Sequence, residues 1–146
     1  MRSAPLSVST LIDDAKNKIA ANTELTFSDP ALEARLLFEY VSGKNYAWQV
    51  VHAQDTVQNK WLKDYHLALN ERLSGKPIAF VTGTKGFWSL DLAVENCTLI
   101  PRQDTEILVE ACLDLVVQAR AQVLDLGTGT GAIALALATE RPDWQI

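Results

Sequence analysis

The sequence predicts an α+β chain, in which a small N-terminal helical bundle is joined by a β-hairpin linker to the start of an α/β domain. Apolar residues recur at helical spacing over the first 75 residues. Short strand-like runs begin at Ile78, and a strand, a glycine-rich turn and a helix follow one another over 122–140. We therefore predict a helical domain at 1–75, a linker at 76–99 and the first part of an α/β domain at 100–146.

The composition fits a globular chain and disfavours several classes of partner. The 146 residues are 48% hydrophobic and carry a net charge of −5 without a basic stripe, which disfavours nucleic acid. No apolar run approaches the ~20 residues that span a bilayer, and the first residues lack the apolar core of a signal peptide. We expect a cytoplasmic location and no membrane partner. Cys97 and Cys112 are isolated and are expected to be reduced, mostly buried thiols outside any metal site.

Two helices are predicted at the start of the chain. Thr10 and Asp13 resemble an N-capping arrangement for the first helix. Its apolar face would consist of Leu11, Ala15 and Ile19. Asp29 as N-cap and Pro30 at the first helical position begin the second helix, which ends at Gly43. Its apolar stripe would consist of Leu32, Leu36, Leu37, Tyr40 and Val41.

Two more helices complete the predicted bundle. Tyr46–Val51 predicts one or two helical turns, and Asp55 or Thr56 is expected to begin a longer helix. The apolar face of that helix would comprise Val57, Trp61, Leu62, Tyr65, Leu69 and Leu73. Gly75 and Pro77 are expected to end it.

The aromatic and histidine side chains of this region have two interpretations. Trp48 and Trp61 fit either the core of the bundle or a recognition face, and the core is favoured. His52 and His66 are the only histidines, and both lie in helical patterns. We interpret them as helix-face residues because a typical zinc site takes four ligands.

Strand signals begin after the bundle. Ile78–Val81 and Phe87–Val94 read as two short strands around the turn Thr82–Gly86, which predicts a hairpin. Asp104 or Thr105 then begins another helix. Its inward residues would be Ile107, Leu108, Ala111, Leu115 and Val116.

A glycine-rich turn is the strongest functional signal in the chain. A strand at Gln122–Leu126 runs into Gly127, Gly129 and Gly131, a helix continues to about Glu140, and Trp144–Ile146 begins a second strand. This arrangement is typical of a Rossmann-like cofactor cradle, in which glycines permit a sharp turn and close approach of a ligand.

The identity of the cofactor depends on Asp125. The glycines satisfy the dinucleotide pattern GxGxxG/A, with Ala132 at its last position, and equally the GxGxG pattern of S-adenosylmethionine (SAM) sites. A carboxylate two residues before Gly127 would repel a pyrophosphate, but it suits a ligand with an ammonium and a sulfonium. A turn acid that caps local backbone amides remains the structural alternative for Asp125.

Three segments together resemble the release factor glutamine N5-methyltransferases. They are Phe87–Leu90 (FWSL), Thr98–Glu106 (TLIPRQDTE) and Val123–Ala134 (VLDLGTGTGAIA), and the linker segments Lys76–Ala79 and Thr82–Gly83 also match. The resemblance extends along the whole chain and implies a helical domain, a hairpin linker and a Rossmann-like SAM-dependent methyltransferase domain. Gln103 stands where a second proline is usual, and Phe80 where histidine is common.

The resemblance implies methyl transfer from SAM to the side-chain amide of the glutamine in the Gly-Gly-Gln motif of class-1 peptide chain release factors. The cofactor-binding residues would be Asp125, Gly127, Thr128, Gly129, Thr130 and Gly131. The helical domain would dock the protein substrate, and the protein would be a monomer without a direct nucleic-acid partner. Arg102, Thr105 and Glu106 would lie near the cofactor entrance, unless they form a salt-bridged helix start.

The catalytic Asn-Pro-Pro-Tyr motif of that family does not occur in these 146 residues, so no catalytic residue is assigned. The acid expected to bind the SAM ribose would also fall beyond Ile146. We therefore expect these residues alone neither to methylate a release factor nor to bind SAM tightly. An NAD(P)-dependent Rossmann enzyme and a non-enzymatic helical binding module remain the alternatives.

Overall fold

Helices dominate the first part of the chain, and a hairpin opens the second. The computed structural model describes residues 6–25 and 29–146. It divides the chain into two compact units, Met1–Thr82 and Gly83–Ile146, here called the first and second units. The helices of the first unit are α1 Val8–Ala21, α2 Pro30–Ser42, α3 Tyr46–Val51, α4 Asn59–Leu73 and α5 Ile78–Thr82. The second unit contains β1 Thr84–Phe87, β2 Leu90–Ala93, a 3₁₀ turn Gln103–Thr105, α6 Glu106–Leu115 and α7 Ala132–Glu140.

Helix α1 begins earlier than the sequence pattern indicates. The N-cap is Ser7, whose Oγ accepts a hydrogen bond from the Thr10 amide at 3.2 Å, so the assignment of the cap to Thr10 is wrong. Ser7 also pairs with Thr56 in an isolated antiparallel bridge, which fixes the chain just before the helix. The predicted inward residues of α1 are confirmed as buried: Leu11, Ala15 and Ile19.

Both ends of helix α2 follow the prediction. The Asp29 carboxylate accepts hydrogen bonds from two amides of the first turn, Pro30 is the first helical residue, and Gly43 ends the helix at φ 66°. The predicted stripe is partly wrong, because Leu32 and Tyr40 are exposed. The buried face instead centres on Ala34, Leu37 and Phe38.

Helix α4 begins at Asn59 and not at Asp55 or Thr56. The residues before it are engaged elsewhere, because the Asp55 carbonyl accepts a hydrogen bond from Val8 and the Val57 amide donates to Leu6. The predicted stop is confirmed: α4 ends at Leu73, and Gly75 follows with φ 95°.

An aromatic cluster closes the core of the first unit. The Phe38 ring contacts Trp48, Trp61 and Tyr65 with centroid distances of 6.0–6.5 Å. Such ring pairs stabilise a core beyond the area they bury. Trp48 and Trp61 are half-buried against this core, so the core interpretation of the two tryptophans is confirmed.

A buried ion pair joins α2 to α4 within the first unit. The Arg72 Nε donates to Glu33 Oε2 at 2.8 Å and its Nη2 donates to Oε1 at 3.1 Å. Both side chains are less than one tenth exposed. This two-pronged geometry is the strong form of an arginine–carboxylate contact.

The predicted hairpin exists but is displaced along the chain. Ile78–Val81 is not a strand and instead forms α5, in which the Phe80 and Val81 amides both donate to the Pro77 carbonyl. The predicted turn residues Thr84–Gly86 belong to β1. Strands β1 and β2 pair antiparallel, with Phe87 opposite Leu90.

The core of the second unit lies between the hairpin, α6 and α7. Its buried members are Phe87, Leu92, Val109, Ala132, Ala136, Leu137 and Trp144. The predicted inward face of α6 is partly wrong, because Ile107, Leu108 and Leu115 are exposed and Val109 is the buried residue of the helix, whereas Val116 is half-buried against the core as predicted. An apolar stripe is easily misplaced when a helix is apolar on several sides.

The two strands expected around the glycine turn are not formed as strands. Gln122 and Gln145 make one isolated parallel bridge, with the Val123 amide donating to the Gln145 carbonyl at 2.8 Å. Leu124 and Leu126 are 80% and 83% exposed. The described residues therefore form a mixed architecture of helices with one small two-stranded sheet, which is compatible with the α+β class.

Other sequence expectations concern single residues. Both cysteines are free, but Cys97 is exposed, against the expectation of burial, and Cys112 is half-buried. His66 is exposed on α4, and His52 stacks on Trp48 at 4.2 Å between ring centroids. Within the described ranges, no helix is long and apolar enough to cross a membrane.

Candidate functional site

The glycine turn before α7 is built from alternating left-handed residues. Gly127, Gly129 and Gly131 have φ values of 80°, 57° and 78°. L side chains rarely adopt this backbone conformation, so glycine is required for this path. The Thr128 hydroxyl donates to the Asp125 carbonyl at 2.9 Å, and the Gly131 amide donates to the Thr128 carbonyl at 2.8 Å. These two bonds close the turn on itself.

The turn leads directly into the N-terminus of α7. Gly131 is the N-cap, and no side chain of a described residue caps the first amides of this nine-residue helix. A Cβ at Gly131 would lie 3.3 Å from Leu135 Cδ1, whereas a Cβ at Gly127 would meet open space. Uncapped amides at a helix N-terminus attract anionic groups, because the helix dipole is positive there.

Asp125 has a carboxylate oxygen that is buried without a partner. Its Oδ2 has essentially no solvent contact and no hydrogen bond among the described residues, although the residue as a whole is half-buried. A buried oxygen left unpaired costs roughly 1–3 kcal/mol, so such groups call for a specific explanation. No local amide donates a hydrogen bond to the Asp125 side chain among the described residues, so the alternative of a turn acid that caps local amides is not supported.

The six predicted cofactor residues therefore lie together in the turn 125–131. The three glycines set the path of the backbone, Thr128 is exposed, and Thr130 is half-buried. Asp125 contributes the acceptor. The site offers one carboxylate oxygen and a row of backbone amides, which suits a ligand that carries both a donor cation and an anionic group.

The segment Arg102–Glu106 does not form the salt-bridged helix start. Within the described part of the chain, neither Arg102 nor Glu106 makes an ion pair. Glu106 Oε1 instead accepts a hydrogen bond from the Trp88 backbone amide at 2.8 Å. The Thr105 amide donates to the Arg102 carbonyl at 3.0 Å. The hydrogen bond from Trp88 to Glu106 therefore connects the hairpin turn to the start of α6.

Trp88 is a residue that the sequence pattern did not single out for a role. It occupies the hairpin turn at φ 56°, a conformation that costs a bulky side chain about 1–2 kcal/mol. Its indole Nε1 donates to Glu140 Oε1 at 2.8 Å, at the far end of α7. Glu106 and Glu140 thus hold Trp88 from two helices. Its place inside the predicted strand Phe87–Val94 gave no local signal for these contacts.

Groups of three or more metal-ligating side chains are not found among the residues that the structure describes.

Comparison with known proteins places the chain in a family. Residues 11–83 match the family described as PrmC N-terminal domain, and the chain belongs to this family. It is 47% identical over 115 residues to the release factor glutamine methyltransferase of Shewanella oneidensis, covering 79% of this chain and 40% of that protein. The protein of the same name from Escherichia coli is 44% identical over 117 residues, covering 80% and 42%.

A third relative covers more of the chain. The release factor glutamine methyltransferase of Aliivibrio fischeri is 41% identical over 141 residues, covering 97% of this chain and 49% of that protein. The chain thus spans less than half the length of these curated relatives. The resemblance noted from the glycine turn and the TLIPRQDTE segment is confirmed at the level of the family.

Proposed function

We propose that this protein acts in the methylation of class-1 peptide chain release factors, with SAM as the methyl donor. The acceptor would be the side-chain amide nitrogen of the glutamine in the Gly-Gly-Gln motif. Membership of the family and the names of the relatives support the reaction class. The observation that carries the choice of cofactor is the buried, unpaired Oδ2 of Asp125 beside three left-handed glycines.

The residues of the turn have separate roles in this proposal. SAM supplies an electrophilic methyl group and has a methionine end that carries an ammonium and a carboxylate. Asp125 Oδ2 would accept a hydrogen bond from the ammonium, which supplies the donor that this oxygen lacks. The uncapped amides of α7 would receive the carboxylate. Gly127 and Gly129 leave the backbone open to the ligand, and Thr128 and Thr130 flank it. This part of the chain would form the start of a Rossmann-like domain.

The first unit would dock the protein substrate. An amide nitrogen is a poor nucleophile because its lone pair is delocalised into the carbonyl, so catalysis gains most from orientation of that nitrogen toward the methyl group. A separate helical unit that holds the release factor would contribute to this orientation. We further propose that the protein is a cytoplasmic monomer.

These 146 residues alone are proposed to be inactive and to bind SAM only weakly. The side chains on both sides of Asp125, Leu124 and Leu126, are almost fully exposed. Among the described residues, the chain before the turn is paired only by the isolated bridge Gln122–Gln145. A loosely held site must pay for ordering when ligand binds. Transfer of labelled methyl from SAM to a release factor by these residues would contradict the first part, and micromolar calorimetric binding would contradict the second.

The cofactor class is tested by nuclear magnetic resonance titration of the ¹⁵N-labelled 146-residue chain. We expect SAM at millimolar concentrations to shift the amides of Gly127, Gly129 and Gly131, and NADH to leave them unchanged. The Asp125→Asn variant should bind SAM at least about tenfold more weakly, because a hydrogen bond to a charged group contributes about 1.5–3 kcal/mol. Asp143→Asn, an exposed acid of the same unit, is the matched control. Shifts with NADH and none with SAM would overturn the assignment.

A further inference from the structure

A half-open groove lies on the surface of the first unit, between α2, α4 and α5. It is lined by Tyr40, Val41, Asp64, Leu67, Ala68, Glu71 and Val81, and has a volume of about 230 Å³. Pockets for drug-sized molecules usually measure about 300–1,000 Å³, so this groove suits one side chain better than a cofactor. Four of the seven residues that line it are aliphatic.

One unpaired charge faces this groove. Asp64 is half-buried and makes no ion pair or hydrogen bond with any described residue, not even with Lys60 one helical turn earlier. The other acid, Glu71, is neutralised by Lys76 at 2.6 Å. The groove therefore offers one free carboxylate among aliphatic side chains.

An exposed aromatic ring stands at the edge of the same groove. Tyr40 of α2 lines the groove and is 55% exposed. The face of a tyrosine ring attracts a cation, and the attraction is stronger when the cation is partly desolvated. A carboxylate, an aromatic ring and apolar walls together match a long side chain with an apolar stem and a flat cationic end.

We infer that this groove receives an arginine side chain from the surface of the protein substrate. The stem would pack against Val41, Leu67 and Ala68, while the guanidinium would pair with Asp64 and stack on Tyr40. Arginine fits better than lysine because its head is planar, is weakly hydrated and stacks on rings. The identity of the partner rests on the proposed function, since the partner named is a class-1 release factor.

The chemistry of the groove is tested without the partner. The ¹⁵N-labelled 146-residue chain is titrated with N-acetyl-L-arginine amide and, separately, with the neutral isostere N-acetyl-L-citrulline amide. We expect arginine to shift the amides of Leu67, Ala68 and Val81, and citrulline to bind about tenfold more weakly. Asp64→Asn should weaken arginine binding by a similar factor, and Asp13→Asn, an exposed acid on α1, should leave it unchanged. Equal affinity for the two probes, or for wild type and Asp64→Asn, would overturn the inference.

The partner is tested by the affinity of the same chain for a purified class-1 release factor. We expect Asp64→Asn to weaken this binding about tenfold and Asp13→Asn to leave it unchanged. Binding that is unaffected by Asp64→Asn would overturn the groove as the docking site while leaving substrate docking intact. Absence of any binding would overturn docking by the first unit, and the arginine titration would then show whether the groove itself binds arginine.

Discussion

Replacement of Arg72 by methionine tests the buried ion pair that joins α2 to α4. The substitution keeps a long apolar side chain but removes the two hydrogen bonds to Glu33, at 2.8 and 3.1 Å, and a third to the Lys76 carbonyl at 3.3 Å. It leaves the Glu33 carboxylate inside the protein, where its side chain is 9% exposed.

The expected loss of stability follows from this burial. Removing one partner of a buried pair costs about 3–5 kcal/mol, because the remaining charge is uncompensated. Total stabilities are about 5–15 kcal/mol, so the loss is a large part of the whole. With a urea slope of about 1–2 kcal/mol/M, the unfolding midpoint should fall by at least about 1.5 M.

The measurement is urea unfolding, monitored through hydrogen exchange at amides of α2 and α4 so that it reports on the first unit. Lys18→Met is the matched control, since the Lys18–Asp14 pair is about half exposed and such pairs contribute about 0–1 kcal/mol. The double variant Arg72→Met with Glu33→Leu should regain most of the loss, because no buried charge remains. A loss below about 1 kcal/mol for Arg72→Met, or a double variant as unstable as the sum of its single variants, would refute this reasoning.

Three further predictions concern single residues. Gly131→Ala should destabilise the second unit by about 1–2 kcal/mol in thermal unfolding, because φ is 78° and the new Cβ would crowd Leu135. Gly86→Ala is the control, because Gly86 lies outside the left-handed region. Equal losses of stability for the two variants would contradict the prediction. Burial, and to a lesser degree Asp14, raise the pKa of Tyr65 above its ordinary value, so the phenol stays neutral in the folded chain after it ionises in the unfolded chain. The stability of the first unit should therefore decline as the pH rises above about 10. In urea unfolding at a series of pH values, Tyr65→Phe should show a smaller decline than the wild type. Parallel curves of stability against pH for the two proteins would exclude Tyr65 as the cause. A maleimide should label the exposed Cys97 faster than the half-buried Cys112, and equal rates measured by mass spectrometry would contradict the burial described here.

Local signals predicted most helix ends correctly. Asp29 with Pro30 begins α2, and Gly43 ends it, because a cap needs only residues that are adjacent in sequence. A helix start was predicted wrongly where the residues that fix it have partners distant in the sequence. Ser7 caps α1 beside Thr56, and this bridge has no local signature. Ile78–Val81 was misassigned because a four-residue apolar run fits a strand and a helix equally well.

The candidate site likewise has features that the sequence predicts and features that it does not. The path of the glycine turn was predictable, since glycines at alternate positions permit left-handed backbone wherever the rest of the chain lies. The buried oxygen of Asp125 was not predictable, because burial is a property of the folded surroundings. The sequence likewise did not predict the Glu33–Arg72 pair, whose members are 39 positions apart. It also did not predict the contacts of Trp88 with Glu106 and Glu140.

The parallel bridge between Gln122 and Gln145 has a consequence for the order of folding. A parallel pair cannot form until the whole connection between its members has closed, and closing a loop of about 23 residues costs about 2.8 kcal/mol of chain entropy. The hairpin Thr84–Ala93 closes through two residues and meets almost none of this cost. We expect the hairpin to form early and the bridge to form last and open first. Amide exchange at Val123 and Gln145 should then be faster than at the paired residues of β1 and β2, and slower exchange would contradict this order.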